Sequence, residues 1–170
     1  CSGGGPEEAT IILEKNGNIT VHIGTQSNGQ GHETAYKQIL CEYLGIGPEK
    51  MTIIQGDSDL IAFGAGTGGS RSVPVGGAAI KVASENIINK AKSIAAKTLN
   101  VAENSVEYKE GIFLAEGTNL SISIEDLAKQ NEEPIKISSQ WTPPNFTFPN
   151  GCHICELEVD KDTGQIEIKK

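Results

Sequence analysis

The chain has one arginine, one tryptophan and one methionine among 170 residues, and aromatic residues make up only 5% of it. A protein that tracks a nucleic-acid backbone needs clustered basic side chains and aromatic platforms. Here 14 Lys and Arg face 22 Asp and Glu, a formal net charge of −8, so no nucleic-acid partner is expected. No apolar run approaches the ~18 residues of a membrane helix, so no membrane span is expected either. Cysteine is scarce too, with four residues at 1, 41, 152 and 155 and no disulfide framework. A reducing, cytoplasmic setting is the expectation. Cys152-His153-Ile154-Cys155 is a C-x-x-C without a second Cys/His pair at metal spacing, so no metal ligands are assigned. It precedes the alternating run Glu156-Leu157-Glu158-Val159; on a strand, residues three apart face opposite ways, which favours a structural role over a redox or metal one.

What is abundant is glycine, with 20 residues bunched in a few places and following no period. At this length one domain with a true core is expected, able to bury about two thirds of its unfolded surface. The opening Cys1-Ser2-Gly3-Gly4-Gly5-Pro6, without Met, and the alternating Gln165 to Ile168 just before Lys170 suggest a piece of a longer polypeptide.

Ala9–Leu13 and Ile19–Ile23 are β-branched runs around Asn16-Gly17, a hairpin signal. A polar glycine-rich loop, Gly24 to Gly31, leads into a helix over 32–44 with Tyr36, Ile39, Leu40 and Tyr43 on one face and Gly45 as its stop. A short strand over 51–55 follows, then a second loop from Gly56 to Arg71 with glycines at 56, 64, 66, 68 and 69. Ser72 before Val73-Pro74 predicts a capped helix start, and that helix runs to Leu99 with Ile80, Ile87, Ala91 and Ile94 in a stripe. The small residues Gly76, Gly77, Ala78 and Ala79 allow close backbone approach in its first half. A second hairpin around Glu110-Gly111, a short helix over 124–129, a strand over 135–138 and a final strand pair at 153–159 and 165–169 complete the pattern. The expectation is an α+β fold, a two-layer domain with a mixed β-sheet packed against two long helices.

Each long helix follows a strand and a glycine-rich loop. Helix N-termini carry unpaired N–H groups and partial positive charge, so each start is a candidate anion site. In the first, Gly29 and Gly31 flank Gln30, whose amide both donates and accepts. In the second, Gly68-Gly69-Ser70-Arg71-Ser72 adds hydroxyls and the chain's lone guanidinium, which suits phosphate. One anion bridging both starts would have the form of a dinucleotide. Tight connection alone is the competing reading of such loops. A P-loop is absent, and the Asp57-Ser58-Asp59 start of a calcium loop fails at Ala62 and Gly68. His32 and Glu33 form a conceivable acid/base pair, yet both also suit a first helical turn.

The string Gly24-Thr25-Gln26-Ser27-Asn28-Gly29-Gln30-Gly31-His32-Glu33-Thr34, with Gly69-Ser70-Arg71-Ser72-Val73-Pro74 some forty residues on, resembles the xanthine dehydrogenase/aldehyde oxidase family of molybdenum hydroxylases, and within it the carbon monoxide dehydrogenase branch. Phe148-Pro149-Asn150-Gly151-Cys152-His153-Ile154-Cys155-Glu156 is similar to the same group. The resemblance implies that residues 1–170 form a molybdopterin-binding domain of a longer large subunit. The cofactor implied is molybdopterin with molybdenum, in its cytosine dinucleotide form. By motif position Gln30 would hydrogen-bond the apical oxo ligand of molybdenum. Asn28, Gly29, Gly31, His32, Glu33 and Thr34 would line the cofactor, and Gly69, Ser70, Arg71 and Ser72 would hold its phosphate portion. Asn28 departs from the Gln common in the carbon monoxide dehydrogenase branch, and its shorter amide would lose one contact.

The resemblance further implies hydroxylation of a carbon centre, with carbon monoxide, an aldehyde or an N-heterocycle as small-molecule substrate and water as oxygen source. Electrons would leave through iron–sulfur clusters and FAD on flavin-binding and iron–sulfur partner subunits, in a dimer of heterotrimers. The family's catalytic glutamate lies in a later motif outside these 170 residues, so the isolated piece is expected to be inactive. Two other classes compete: a non-catalytic nucleotide- or anion-binding module that kept the fold, and a structural domain whose glycines serve packing.

Overall fold

A computed structural model of the chain describes residues 4–148 and 150–170; Cys1, Ser2, Gly3 and Pro149, which the sequence reading touched, lie outside the described residues. Strands β1 (Glu7–Leu13) and β2 (Ile19–Ile23) form the first hairpin, with Leu13 opposite Ile19. Gly17 holds φ 84, and the Asn16 side chain accepts from the N–H of Asn18 at 2.9 Å, so the Asn-Gly pair makes the turn its chemistry predicts. β3 (Met51–Gln55) runs parallel to β2, and β7 (Ile135–Trp141) runs antiparallel to β1. The resulting mixed sheet has the order β3-β2-β1-β7.

Alternation decides its faces. Ala9, Ile11 and Leu13 of β1 are buried together with Ile19, Val21 and Ile23 of β2. The opposite face is mixed, carrying Ile12 and Ile54 beside polar side chains, and Thr10 there shares a hydroxyl hydrogen bond of 2.6 Å with Ser138 of β7. Helices α1 (His32–Leu44) and α2 (Ala78–Leu99) cover the apolar side, α2 on β1 and β7, and α1 on α2 and β3. Gly45 ends α1 in the left-handed conformation, where its N–H reaches the carbonyl of Cys41. The expected α+β two-layer arrangement with a mixed sheet and two long helices is the one observed.

The helices approach closely because their contact residues are small. A Cβ on Gly77 would stand 2.9 Å from Cδ1 of Ile39 on α1, and one on Gly76 would stand 3.0 Å from Oη of Tyr36. Ala79, Ala83, Ala91 and Ala95 continue this buried seam along α2, alongside Ile80 and Ile87.

A second, antiparallel sheet of order β4-β5-β6 sits at the far end of α2. It comprises β4 (Val106–Lys109), β5 (Ile112–Ala115) and β6 (Ser121–Ser123). Glu110 and Gly111, with φ 48 and 84, make its two-residue turn. Strand β6 is too short and polar to stand out in the sequence. It leads into α3 (Ile124–Gln130), capped where the Ser123 hydroxyl accepts from the N–H of Asp126.

Two local expectations are corrected. Ser72 does not cap α2: a π-helical turn over Ser72–Gly77 precedes the helix, and the carbonyl of Arg71 receives both Val75 N–H at 2.8 Å and Gly76 N–H at 3.4 Å. The Ser72 hydroxyl is instead drawn to Thr67, 3.2 Å away. The last strands are also shorter than expected, β8 (Leu157–Val159) and β9 (Ile166–Ile168), forming a separate hairpin. Cys152 and Cys155 therefore lie before the strand, both exposed and unpaired, and the opposite-faces argument does not apply to them. Among the described residues no cluster of three or more His, Cys, Asp or Glu is arranged to hold a metal ion, and no helix is long and apolar enough to cross a membrane.

Candidate cofactor site

The two glycine-rich loops leave neighbouring parallel strands at the same end of the sheet, the first after β2 and the second after β3. Parallel neighbours bring their C-terminal loops side by side, and that is where ligands of α/β folds collect. The contacts here are backbone-close. A Cβ on Gly24 would stand 2.3 Å from Cα of Gly64, and one on Gly64 would stand 2.5 Å from Cα of Gly24. Only glycine fits on either side of this crossing.

Polar contacts then lock the loops together. The Thr67 hydroxyl accepts from Gln26 N–H at 2.9 Å and donates to the Gln26 carbonyl at 2.7 Å. Tyr36, fully buried on α1, donates its O–H to the Ser72 carbonyl at 3.0 Å. With that hydrogen committed, the Thr25 hydroxyl donates to the phenol oxygen, 2.6 Å away. Burial raises the Tyr36 pKa above 10.0, and the Glu7 carboxylate pushes the same way against the Thr25 bond, so the phenol stays a neutral donor.

Each predicted residue can be placed on this frame. Asn28, Gly29, Gln30 and Gly31 are exposed, and open space lies where a Cβ of Gly29 or Gly31 would stand. The Gln30 amide oxygen accepts from Asn28 N–H, which leaves its NH2 as the end free to donate outward. Gly31 sits at φ 74 as the first cap of α1 and offers no side-chain acceptor, so the first N–H groups of the helix are uncapped. His32 and Glu33 part company. His32 is 4% exposed against Tyr36, its Nδ1 buried without a partner, while Glu33 is exposed and pairs with Lys37 at 2.8 Å. They do not act as one acid/base pair. Thr34 lines a groove of about 540 Å³ together with Lys37, Gln38, Cys41, Glu42 and Pro48.

In the second loop Gly69 and Ser70 hold consecutive positive φ angles, 57 and 56, with both residues exposed. Arg71 corrects the sequence reading in one respect. Its guanidinium does not face outward to meet a phosphate; the residue is 4% exposed and donates to Glu7 Oε2 at 2.5 Å, the Gly66 carbonyl at 2.8 Å and the Pro6 carbonyl at 2.8 Å. A carboxylate cancels its charge inside the fold. What Gly69 and Ser70 present is neutral: backbone N–H groups and the Ser70 hydroxyl.

Sequence reasoning missed Glu7, Thr25, Tyr36 as a polar bridge, and Thr67. One signal was available, since a single arginine in a strongly acidic chain has many carboxylates to find. Which of them it finds depends on the fold.

A protruding polar loop at an uncapped helix start, locked to a second glycine-rich loop, suits a large polar ligand approached by backbone. The molybdopterin cofactor-binding domain family matches residues 2–170. The carbon monoxide dehydrogenase large chain of Afipia carboxidovorans is 36% identical over 96% of this chain and 21% of its own length. The large chain from Hydrogenophaga pseudoflava is 34% identical over 96% of this chain and 22% of its own. A crystal structure of the Cu,Mo-CO dehydrogenase in its carbon monoxide reduced state superposes with a TM-score of 0.86 at 35% identity, covering 96% of this chain and 22% of that one. The chain thus spans about a fifth of the relatives it matches. It belongs to the molybdopterin cofactor-binding domain family of the molybdenum hydroxylases.

Proposed function

We propose that these 170 residues act as one molybdopterin-binding domain in the large subunit of a molybdenum-dependent oxidoreductase. The observation that carries this reading is the locked pair of glycine-rich loops, set at the ends of parallel strands within a chain of this family. The residues present fit the group. Gly29, Gly31 and Gly68 keep space open where a Cβ would stand, the start of α1 is uncapped, the exposed side chains of Asn28, Gln30 and Ser70 are uncharged, and the Glu33 carboxylate is paired with Lys37. Neutral donors of this kind hold a phosphate and a pterin without an unpaired buried charge.

In this reading Asn28, Gly29, Gly31 and the first N–H groups of α1, at His32, Glu33 and Thr34, line the cofactor. Gly69, Ser70 and Ser72 cradle the phosphate end through backbone N–H groups and the Ser70 hydroxyl, while Arg71, its N–H bonded to the Gly68 carbonyl, holds the turn that presents them. The Gln30 NH2, with its oxygen accepting from Asn28 N–H, would donate to an oxo ligand of the bound cofactor without adding charge there. When bound, the cofactor supplies two-electron oxidation of a carbon centre with water as oxygen source. The protein's part is binding, orientation and electrostatics. Finer features belong to the same proposal: the cytosine dinucleotide form, a substrate among carbon monoxide, aldehydes and N-heterocycles, and electron exit through iron–sulfur and flavin subunits in a soluble dimer of heterotrimers.

The test uses the full-length subunit with its co-purifying partners, from cells shown to make the cofactor. Near-stoichiometric molybdenum by elemental mass spectrometry, with cytidine monophosphate released by acid hydrolysis, is the expected result. Absence of both would favour a non-catalytic module that kept the fold. Gln30→Ala should abolish turnover in a folded subunit, and an unchanged rate would remove its assigned role.

A further inference from the structure

We propose that Glu7 is a positioning residue for the cofactor, fixing the second loop through Arg71 and the crossing of the two loops through its own carboxylate. This inference rests on the cofactor reading above. Glu7 opens β1 at a position whose alternation, continued by Ala9, Ile11 and Leu13, points into the protein. It is nevertheless an acid with 0% exposure, 64 residues from the arginine it meets. A buried carboxylate needs a partner to remain charged, and Arg71 Nη1 at 2.5 Å from Oε2 supplies one.

The same carboxylate reaches the backbone of both crossing loops. Oε2 also receives Ala65 N–H at 3.4 Å. Oε1 lies against both glycines, so that a Cβ would stand 2.8 Å from it on Gly24 and 3.3 Å on Gly64. Arg71 in turn ties Gly66 of the loop to Pro6 at the start of β1. The residue just before it, Ser70, holds φ 56, a conformation a residue with a Cβ keeps only when its surroundings hold it. Anchored by three hydrogen bonds, Arg71 provides that hold. Well-packed apolar residues stabilise a core at least as well as a buried ion pair. What the pair adds is direction: it sets where the Gly69-Ser70-Arg71-Ser72 backbone lies.

The experiment compares Glu7→Gln with wild type in the full-length, partner-bound subunit, reading molybdenum and released nucleotide per folded chain, together with proteolytic cleavage within 64–71. Expected are an occupancy at least fivefold lower and faster cleavage of that segment at a temperature well below unfolding. Phe113→Leu, a core change in the second sheet, serves as the destabilised control; it should lower the melting temperature yet keep occupancy. That separates positioning from stability. Should Glu7→Gln yield no folded subunit, Glu7→Asp carries the test, since it keeps the charge and withdraws the carboxylate by one methylene; partial loss of occupancy is then required. Full occupancy in the folded variant overturns the role of Glu7. A wild-type subunit without molybdenum or nucleotide overturns the cofactor reading itself, which is a distinct result.

Discussion

The phenol of Tyr36 joins three segments of the chain, accepting from the hydroxyl of Thr25 at 2.6 Å and donating to the carbonyl of Ser72 at 3.0 Å. Thr25 belongs to the first loop, Ser72 ends the second, and Tyr36 lies on the helix that one loop feeds. One buried oxygen thereby holds the two halves of the site in register.

Tyr36→Phe keeps the ring and removes that oxygen. The cost should be about 1–3 kcal/mol, because a buried Thr25 hydroxyl and a Ser72 carbonyl lose their partner. Thr25→Val should cost a similar amount. Denaturant unfolding of both singles and the double should show a double well below the sum, since the two residues share one bond.

Glycine substitutions discriminate between packed and open backbone. Gly24→Ala or Gly64→Ala drives a methyl into the opposite backbone, and each should cost about 1–3 kcal/mol or more. Gly68, with open space around it, should accept alanine within about 0.5 kcal/mol. Equal melting temperatures for Gly24→Ala and wild type would contradict the crossing.

The cap of α3 carries a pH signature. Lys129 and the Ser123 hydroxyl, both bonded to the Asp126 carboxylate, hold its pKa below 3.8. A carboxyl lowered in the folded state stabilises it above the unfolded value, and the contribution fades as pH falls through the folded one. Asp126 should therefore titrate below 3.8 by carboxyl-carbon NMR, and Lys129→Ala should move the midpoint up.

Cys41 tests the outer face of α1. Partial burial, then the Glu49 carboxylate, raise its thiol above 9.0, leaving little thiolate at neutral pH. Its alkylation by iodoacetamide should be slower than that of a free cysteine and should quicken in Glu49→Gln. Rapid labelling of Cys41 at pH 7 would contradict this environment.

Features set by neighbours in sequence are legible in the sequence itself. Asn16-Gly17 and Glu110-Gly111 turn because their backbones tolerate positive φ, α1 stops at Gly45 for the same reason, and the stripe of Ile80, Ile87 and Ala91 is the buried face of α2. The loops Gly24–Gly31 and Gly56–Arg71 were equally visible as glycine-rich, polar segments before long helices. Less legible was the start of α2, where Ser72 had the chemistry of a cap but donates its hydroxyl to Thr67, five residues earlier in the same loop, and a π-helical turn precedes the helix.

Arg71 shows where the sequence stops deciding. As the lone guanidinium between Ser70 and Ser72 it has the chemistry to meet a phosphate, and nothing local says otherwise. The fold turns it inward, because β1 brings the buried Glu7 alongside and a charge taken from water must find its counter-charge at once. Short-range periodicity and turn chemistry therefore determined the first hairpin, the two long helices and the place of both loops. Tertiary structure alone decided which residues, Glu7, Thr25, Tyr36 and Thr67, hold those loops together, since desolvation makes such bonds obligatory only after distant segments have met.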